Sequence, residues 1–330
     1  MKKISYFLLM LLCCTANVVA QDETPSEEKP KYWKINGILS FNASATGLWN
    51  WAAGGNNNAT AVAAANITLL YQKNTIAWES NLDTDFGFTY LDATDYKPLR
   101  KSNDKINFTT KLGWEFHKTC YLTVLGSFKS QYARGYEYGE DYMTPTSAWL
   151  SPSYTDISVG IDWKPNEIFS VYISPVAGRI STCYKESLPN FGSKEGTMNS
   201  LRAKYGIDED KTFLAELGLS AKAGVNYTQI KNLKIISTVG IFSPYKRANK
   251  TLIEDGNGGF RPEDNYRRFG NFDVDWDFSI SYQFLKVLNV SFNTSLKYVN
   301  GVLIADKNGE NPTERVQLKG VLGLGVGYSF

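Results

Sequence analysis

Asn271-Phe272-Asp273-Val274-Asp275-Trp276-Asp277-Phe278-Ser279-Ile280-Ser281-Tyr282-Gln283-Phe284 puts every large apolar side chain at an even position and every polar one at an odd position. A helix, turning every 3.6 residues, would scatter both sets around its circumference. A strand, whose side chains alternate, separates them completely. The same division recurs earlier. Ile106, Phe108, Thr110, Leu112, Trp114 and Phe116 stand against Lys105, Asn107, Thr109, Lys111, Gly113 and Glu115. Ile76, Trp78, Leu82, Phe86 and Phe88 stand against Glu79, Asn81, Asp83 and Asp85. Strands of soluble sandwiches average about five or six residues. These runs last about ten to fourteen, the length a tilted strand needs to cross a bilayer.

Counting such runs along the chain predicts twelve strands, at 32–45, 59–72, 75–88, 105–116, 120–132, 154–164, 168–179, 213–227, 233–243, 271–284, 288–299 and 314–330. The gaps alternate in length. Tight turns are expected at Lys73-Asn74, His117-Lys118-Thr119, Lys164-Pro165-Asn166, Ile230-Lys231-Asn232 and Leu285-Lys286-Val287. Long connections are expected at 46–58, 89–104, 133–153, 180–212, 244–270 and 300–313. Short periplasmic turns, long external loops and an even strand number are the pattern of bacterial outer-membrane barrels. The expected fold is therefore all-β: a transmembrane antiparallel up-and-down barrel of about twelve strands. No stretch outside the N-terminus has the apolar length of a membrane helix, and an open sheet would leave backbone groups unpaired in lipid.

The N-terminus reads as a secretory signal over residues 1–20. Lys2 and Lys3 precede an apolar core from Tyr6 to Thr15, and Val18-Val19-Ala20 supplies compact residues before Gln21. A membrane anchor is the alternative, but the apolar core is short for a span. Lipidation at Cys13 or Cys14 is another, though Leu12 stands where a small residue is wanted. Residues 21–31 are charged and contain proline, which suits a periplasmic tail, and the barrel is expected over 32–330. At the other end Leu322, Leu324, Val326, Tyr328 and Phe330 share one face of an alternating strand. An aromatic last residue on such a strand resembles the signal by which the outer-membrane insertion machinery recognises its clients. The expected partners are thus outer-membrane lipids, that machinery and other envelope proteins. The net charge of +2 offers nothing to nucleic acid. A mean hydropathy of −0.29 does not argue for solubility, because barrel strands interleave lipid-facing and lumen-facing residues.

Trp49-Asn50-Trp51-Ala52-Ala53-Gly54-Gly55 resembles the Asn-Trp-Ala-Ala-Gly-Gly signature of an uncharacterised outer-membrane barrel family, a domain of unknown function. The stretch from Ile173 to Arg179, Tyr205-Gly206-Ile207, and the stretch from Asn271 to Trp276 resemble later motifs of the same family. The likeness runs over nearly all of the chain after residue 20. It implies the fold and transfers no catalytic residue, since the family carries no established activity.

Charge defines the lumen. Glu79, Asp83, Asp85, Asp156, Asp162, Glu216, Asp273, Asp275 and Asp277 fall on polar faces, with Lys34, Lys105, Lys111, Lys129, Lys222, Lys234, Lys297, Arg315 and Lys319. A basic side chain on the lipid face costs about 2–4 kcal/mol at the midplane, so grouped charges mark the inward face. Of these, Glu79, Asp83, Asp85, Lys111, Asp273, Asp275, Asp277 and Lys297 are the candidate lumen lining. Two readings stand: a selective channel lining, or a mutually neutralised interior that fills space. The similar numbers of the two signs favour cross-strand pairing. If the turn at Leu285-Lys286-Val287 is tight, Asp275 lies opposite Lys297. A metal site in the Asp273, Asp275, Asp277 row is disfavoured, because alternate residues of a strand lie about 6.8 Å apart, and no cofactor is expected. Glu254-Asp255-Gly256-Asn257-Gly258-Gly259 and Asp306-Lys307-Asn308-Gly309 lack the later carboxylate of a calcium loop.

The external loops offer Trp49 and Trp51, either as a plug or as loop packing. Tyr132, Tyr136, Tyr138, Tyr142, Trp149 and Tyr154 read as an interfacial girdle in preference to a sugar-stacking platform. Loop 180–212, with a helical look from Met198 to Tyr205, is expected to narrow the external opening together with the two tryptophans. Catalysis finds little support: His117 is the single histidine, in an expected periplasmic turn. Cys120 and Cys183, the cysteines beyond the signal, should lie at opposite rims and remain unbridged. The leading expectation is a narrow pore for small solutes. Its rival is a non-conducting scaffold of an envelope assembly, and a hydrolase is less favoured.

Overall fold

A computed structural model describes residues 32–48, 57–92, 97–138, 143–184, 205, 207, 211–246, 252–254, 260–262, 269–284, 288–300, 303–304 and 313–329. The barrel strands are β1 (Trp33–Thr46), β2 (Asn58–Lys73), β3 (Ile76–Leu91), β4 (Leu99–His117), β5 (Cys120–Ser130) and β6 (Ser153–Trp163). They continue as β7 (Phe169–Thr182), β8 (Phe213–Tyr227), β9 (Leu233–Lys246), β10 (Asp273–Gln283), β11 (Leu288–Tyr298) and β12 (Gln317–Ser329). Each pairs antiparallel with its sequence neighbours, and β12 pairs with β1 to close the barrel. The twelve-stranded transmembrane barrel expected from the alternation is the fold, and its place is the outer membrane.

The wall is inside-out relative to a soluble protein. Leu39, Phe41, Leu112, Val124, Ile157, Ile161, Ile173, Leu217 and Leu322 are exposed on the outer face, where lipid replaces water. At the short-turn end Trp33 stacks on Tyr71 and Trp78, with ring centroids 4.7 and 5.7 Å away. Exposed Trp114 and Trp163 share that rim, giving an interfacial girdle. Buried apolar residues instead gather at the long-connection end, where Ala148, Cys183, Ile207 and Leu214 cluster with Tyr205 packed against them.

Several boundaries differ from the expectation. The β3–β4 hairpin runs on past the expected limits of residues 88 and 105, with Tyr90 opposite Leu99. A register shift at Gly87/Phe88 carries the ladder onward, and the charged 99–104 stretch loses the strict alternation that marks a bilayer span. β9 continues through Pro244 to Lys246. The long connections hold small hairpins the alternation did not announce: 135–138 with 143–147, 252–254 with 260–262, and 303–304 with 313–314. Trp49, Trp51, Phe330, residues 1–31, 185–204 and the glycines of both calcium-like loops lie outside the described residues.

A charged lumen as candidate functional site

The register sets which charges meet. Asp85 stands opposite Lys105, Glu79 opposite Lys111, and Asp275 opposite Lys297. Only the first of these pairs is an ion pair in the fold. Lys105 Nζ lies 2.7 Å from Asp83 and 3.6 Å from Asp85. The others reach past their neighbours. Lys111 contacts Asp162 of β6 at 3.5 Å, over the intervening β5. Lys129 of β5 reaches Asp275 of β10 at 3.9 Å, although β6 to β9 stand between them around the wall. Lys297 of β11 sits over the Tyr154 ring of β6, 4.3 Å from its centroid. Such contacts require a lumen no wider there than two extended side chains.

Two belts result. The outer belt, toward the long connections, centres on Arg179 of β7. Its guanidinium Nε donates to Asp156 at 2.7 Å, its Nη1 donates to Asp273 at 3.0 Å, and it lies 4.2 Å over the Phe242 ring. Asp273 also accepts from the Asn300 N–H at 3.0 Å, while Asp277 accepts from the Ser295 hydroxyl at 2.6 Å. The three carboxylates of the Asp273, Asp275, Asp277 row thus turn to different partners. The inner belt lies by the short turns. Lys164, in the β6–β7 turn, pairs with Glu79 at 3.2 Å and Asp162 at 3.7 Å. Burial works against the charge of Lys164, but Glu79 and Asp162 outweigh it and hold the ammonium above its usual range.

The lumen is uneven in accessibility. On β5 to β8 the inward side chains Thr123, Ser127, Ser158, Tyr172, Ser174 and Ser220 are buried, and the Tyr172 and Ser158 hydroxyls bond at 2.8 Å. Asp162 is 1 % exposed and Asp273 2 %. On the adjoining β3 and β4, Lys105 is 40 % exposed, Asp83 33 % and Glu79 37 %. The interior is thus more densely packed along β5 to β8 than along β3 and β4.

The packed side carries the cap. The Tyr205 hydroxyl donates to the Thr146 carbonyl at 3.0 Å, tying the 180–212 connection to the 133–153 connection. Burial among these groups pushes the phenol up from its usual range. Tyr154, expected in an interfacial girdle, faces the lumen instead, because β6 begins at Ser153 and sets Tyr154 on the same face as Asp156. Tyr132 meets Phe86 edge-to-face, and Trp149 lies tilted against Phe128, with ring centroids 6.2 Å apart in each pair.

Arg179 and Lys164 are absent from the inward charges read off the sequence. Counting alternate residues from Tyr172 puts Arg179 on the lipid face. The extra residue at Ser174-Pro175, where the β6–β7 register shifts between Val159 and Ile161, turns it inward. The Ser174 hydroxyl lies within bonding distance of the Val159 and Val176 carbonyls and of the Val176 N–H, supplying polar contacts beside the proline. A mid-strand proline was the available signal. Lys164 sits beyond the strand end, where periodicity says nothing.

Residues 43–136 are similar to a family described as "Protein of unknown function (DUF3078)". That segment contains the Trp49–Gly55 motif. No curated protein sequence matches the chain. Among solved structures, the COG4313 outer membrane channel from Pseudomonas putida F1 is 10 % identical with a TM-score of 0.38, over 92 % of this chain and 100 % of that one. The translocator domain of autotransporter NalP from Neisseria meningitidis is 10 % identical with a TM-score of 0.33, over 100 % and 96 %. OmpT of Vibrio cholerae is 9 % identical with a TM-score of 0.29, over 90 % and 97 %. The outer-membrane architecture rests on the barrel's own closure and lipid-facing surface.

Proposed function

We propose that the barrel is a narrow channel for small polar solutes, with its constriction at the outer belt. The observation that supports this reading is the division of the interior: a packed flank on β5 to β8, and a flank where Lys105, Asp83 and Glu79 keep a third or more of their side-chain surface accessible. At the constriction Lys129 and Asp275 face one another from nearly opposite walls. Opposite charges across a narrow, partly desolvated gap set up a transverse field, stronger than the same charges would give in bulk water. A small zwitterion or dipolar solute can align with that field, whereas an apolar one gains nothing from it.

Within this reading the chain transports and does not catalyse. His117 pairs with Cys120 at the short-turn rim, remote in the wall from the outer belt. β12 (Gln317–Ser329) is the part offered to the insertion machinery. Purified protein in planar bilayers tests the channel: small discrete conductance steps are expected, with swelling of liposomes in amino acids but not in oligosaccharides. A barrel that is folded by heat-modifiability yet passes no current and no solute overturns the channel, and a scaffold subunit becomes the better reading.

A further inference from the structure

The two ends of the wall meet along only five residue pairs, from Ile38 with Ser329 to Asn42 with Gly325. Every other pair of neighbouring barrel strands shares at least ten. Toward the external rim, residues 43–46 of β1 pair only with β2, and residues 317–324 of β12 only with β11. Leu322, on that stretch, is 77 % exposed, the largest value among the exposed large hydrophobics of the described residues. Free N–H and C=O groups are costly in hydrocarbon unless water or a polar group reaches them, so backbone left open at membrane depth belongs beside an aqueous cavity. The lumen behind this seam is that cavity.

A trough of about 450 Å³ lies alongside. Ala43, Ala45, Ala59 and Ala61 form its floor on the outer face of β1 and β2, and Phe88, Tyr90 and Leu99 form its far bank. Ser44 and Thr60 also line it, and its Ala43–Ala45 wall belongs to the strand whose external stretch does not pair with β12. Through the gap, the inward face of β12 carries Lys319, opposite Ser295 and exposed, while Asn42 projects from β1 toward Gly323 and Gly325.

We propose that the external half of the β1–β12 seam is a lateral portal for a single-chain anionic amphiphile of the outer leaflet. Its chain lies in the alanine trough, and its carboxylate passes between residues 43–46 and 317–324 to Lys319. The occupant follows from the surroundings. The trough is apolar and lies on the outward face of the wall at the external rim, so an acyl chain fills it. The far side of the gap is polar and presents an ammonium, which selects an anionic head. The inference uses the channel reading only for a hydrated lumen. Axial conductance can fail while lateral labelling succeeds, and the reverse.

The test uses full-length barrel in phosphatidylcholine vesicles with two dodecanoate photoprobes, one bearing a diazirine at the chain end and one beside the carboxylate. The chain-end probe should label residues 43–45 and 59–61, and the head-group probe the inner face of residues 317–321. An Ala43→Cys/Leu324→Cys pair, made with Cys120→Ala and Cys183→Ala, locks the seam on oxidation. Locking should reduce head-group labelling severalfold while trough labelling persists, and reductant should restore it. Lys319→Met should lower inner-face labelling by the carboxylate probe but not by the corresponding alcohol. Inner-face labelling that ignores the lock, or labels confined to the trough in every state, means ordinary boundary lipid and overturns the portal. If the cysteines do not bridge, Ala61→Phe fills the trough instead. Head-group labelling should then fall with chain-end labelling, and unchanged head-group labelling also overturns the proposal.

Discussion

Arg179 shows how much one side chain can carry in a lumen. It joins Asp156 of β6 to Asp273 of β10 and stacks on Phe242 of β9. Replacing it with methionine leaves two enclosed carboxylates without their cation. Breaking a buried pair costs about 3–5 kcal/mol. Arg179→Met should therefore lower the urea midpoint of the barrel, with Asp156→Asn in the same chain recovering part of the loss. An unchanged midpoint in the single variant contradicts the clasp. Lys164 gives a pH signature of known sign. Its folded value is raised above the ordinary 10.5 by Glu79 and Asp162, so its contribution is fully present below that pH and is lost as pH rises through the folded value. The stability gap between wild type and Lys164→Gln should be largest near neutral pH and close well above 10.5. A gap that widens with alkali has the wrong sign for this pairing.

At the scale of elements, register and bulges decide which side of the wall a residue serves. Ser174-Pro175 inverts the facing of the end of β7 and so delivers Arg179 to the lumen. Strand direction fixes the cysteines as well. Cys120 opens β5 beside the short turn, and Cys183 follows β7 in the cap at the far rim, bonded through its N–H to the Thr212 carbonyl. Both are free. Gel mobility should be identical with and without reductant, and a reductant-sensitive intrachain band contradicts the strand directions. The seam depends on β12 glycines: a Cβ at Gly325 would collide with the Phe41 carbonyl and the Asn42 side chain. Overpacking of this kind costs about 1–3 kcal/mol. Gly325→Val should lower the temperature of heat-modification, whereas Gly178→Ala, with its nearest neighbour at 3.8 Å, should leave it near wild type.

For the molecule as a whole, the proposed channel makes the spacing across the outer belt the quantity that sets permeation. Asp275→Lys replaces an attraction to Lys129 with a repulsion between two ammonium groups. The side chains should part, raising single-channel conductance and moving the reversal potential toward anion selectivity. Conductance and selectivity both equal to wild type would place the constriction elsewhere in the lumen.

The order of amino acids along the chain is enough to set the strand number and the alternation of short and long connections. Those properties follow from a two-residue period that lipid enforces along each strand, with no knowledge of the partners. Asp83, Asp85, Lys105 and Asp275 fall on the polar faces of that pattern. Closure decided the rest. A tight turn puts Lys297 beside Asp275, yet the folded barrel gives Asp275 to Lys129 and sets Lys297 over Tyr154. Long side chains in a narrow lumen reach the far wall as readily as the adjacent strand, and which residues share a height there depends on the stagger of all twelve strands together. The portal has the same origin. Nothing local in β1 or β12 marks residues 43–46 and 317–324 as failing to pair with one another, because the two strands meet only when the barrel closes.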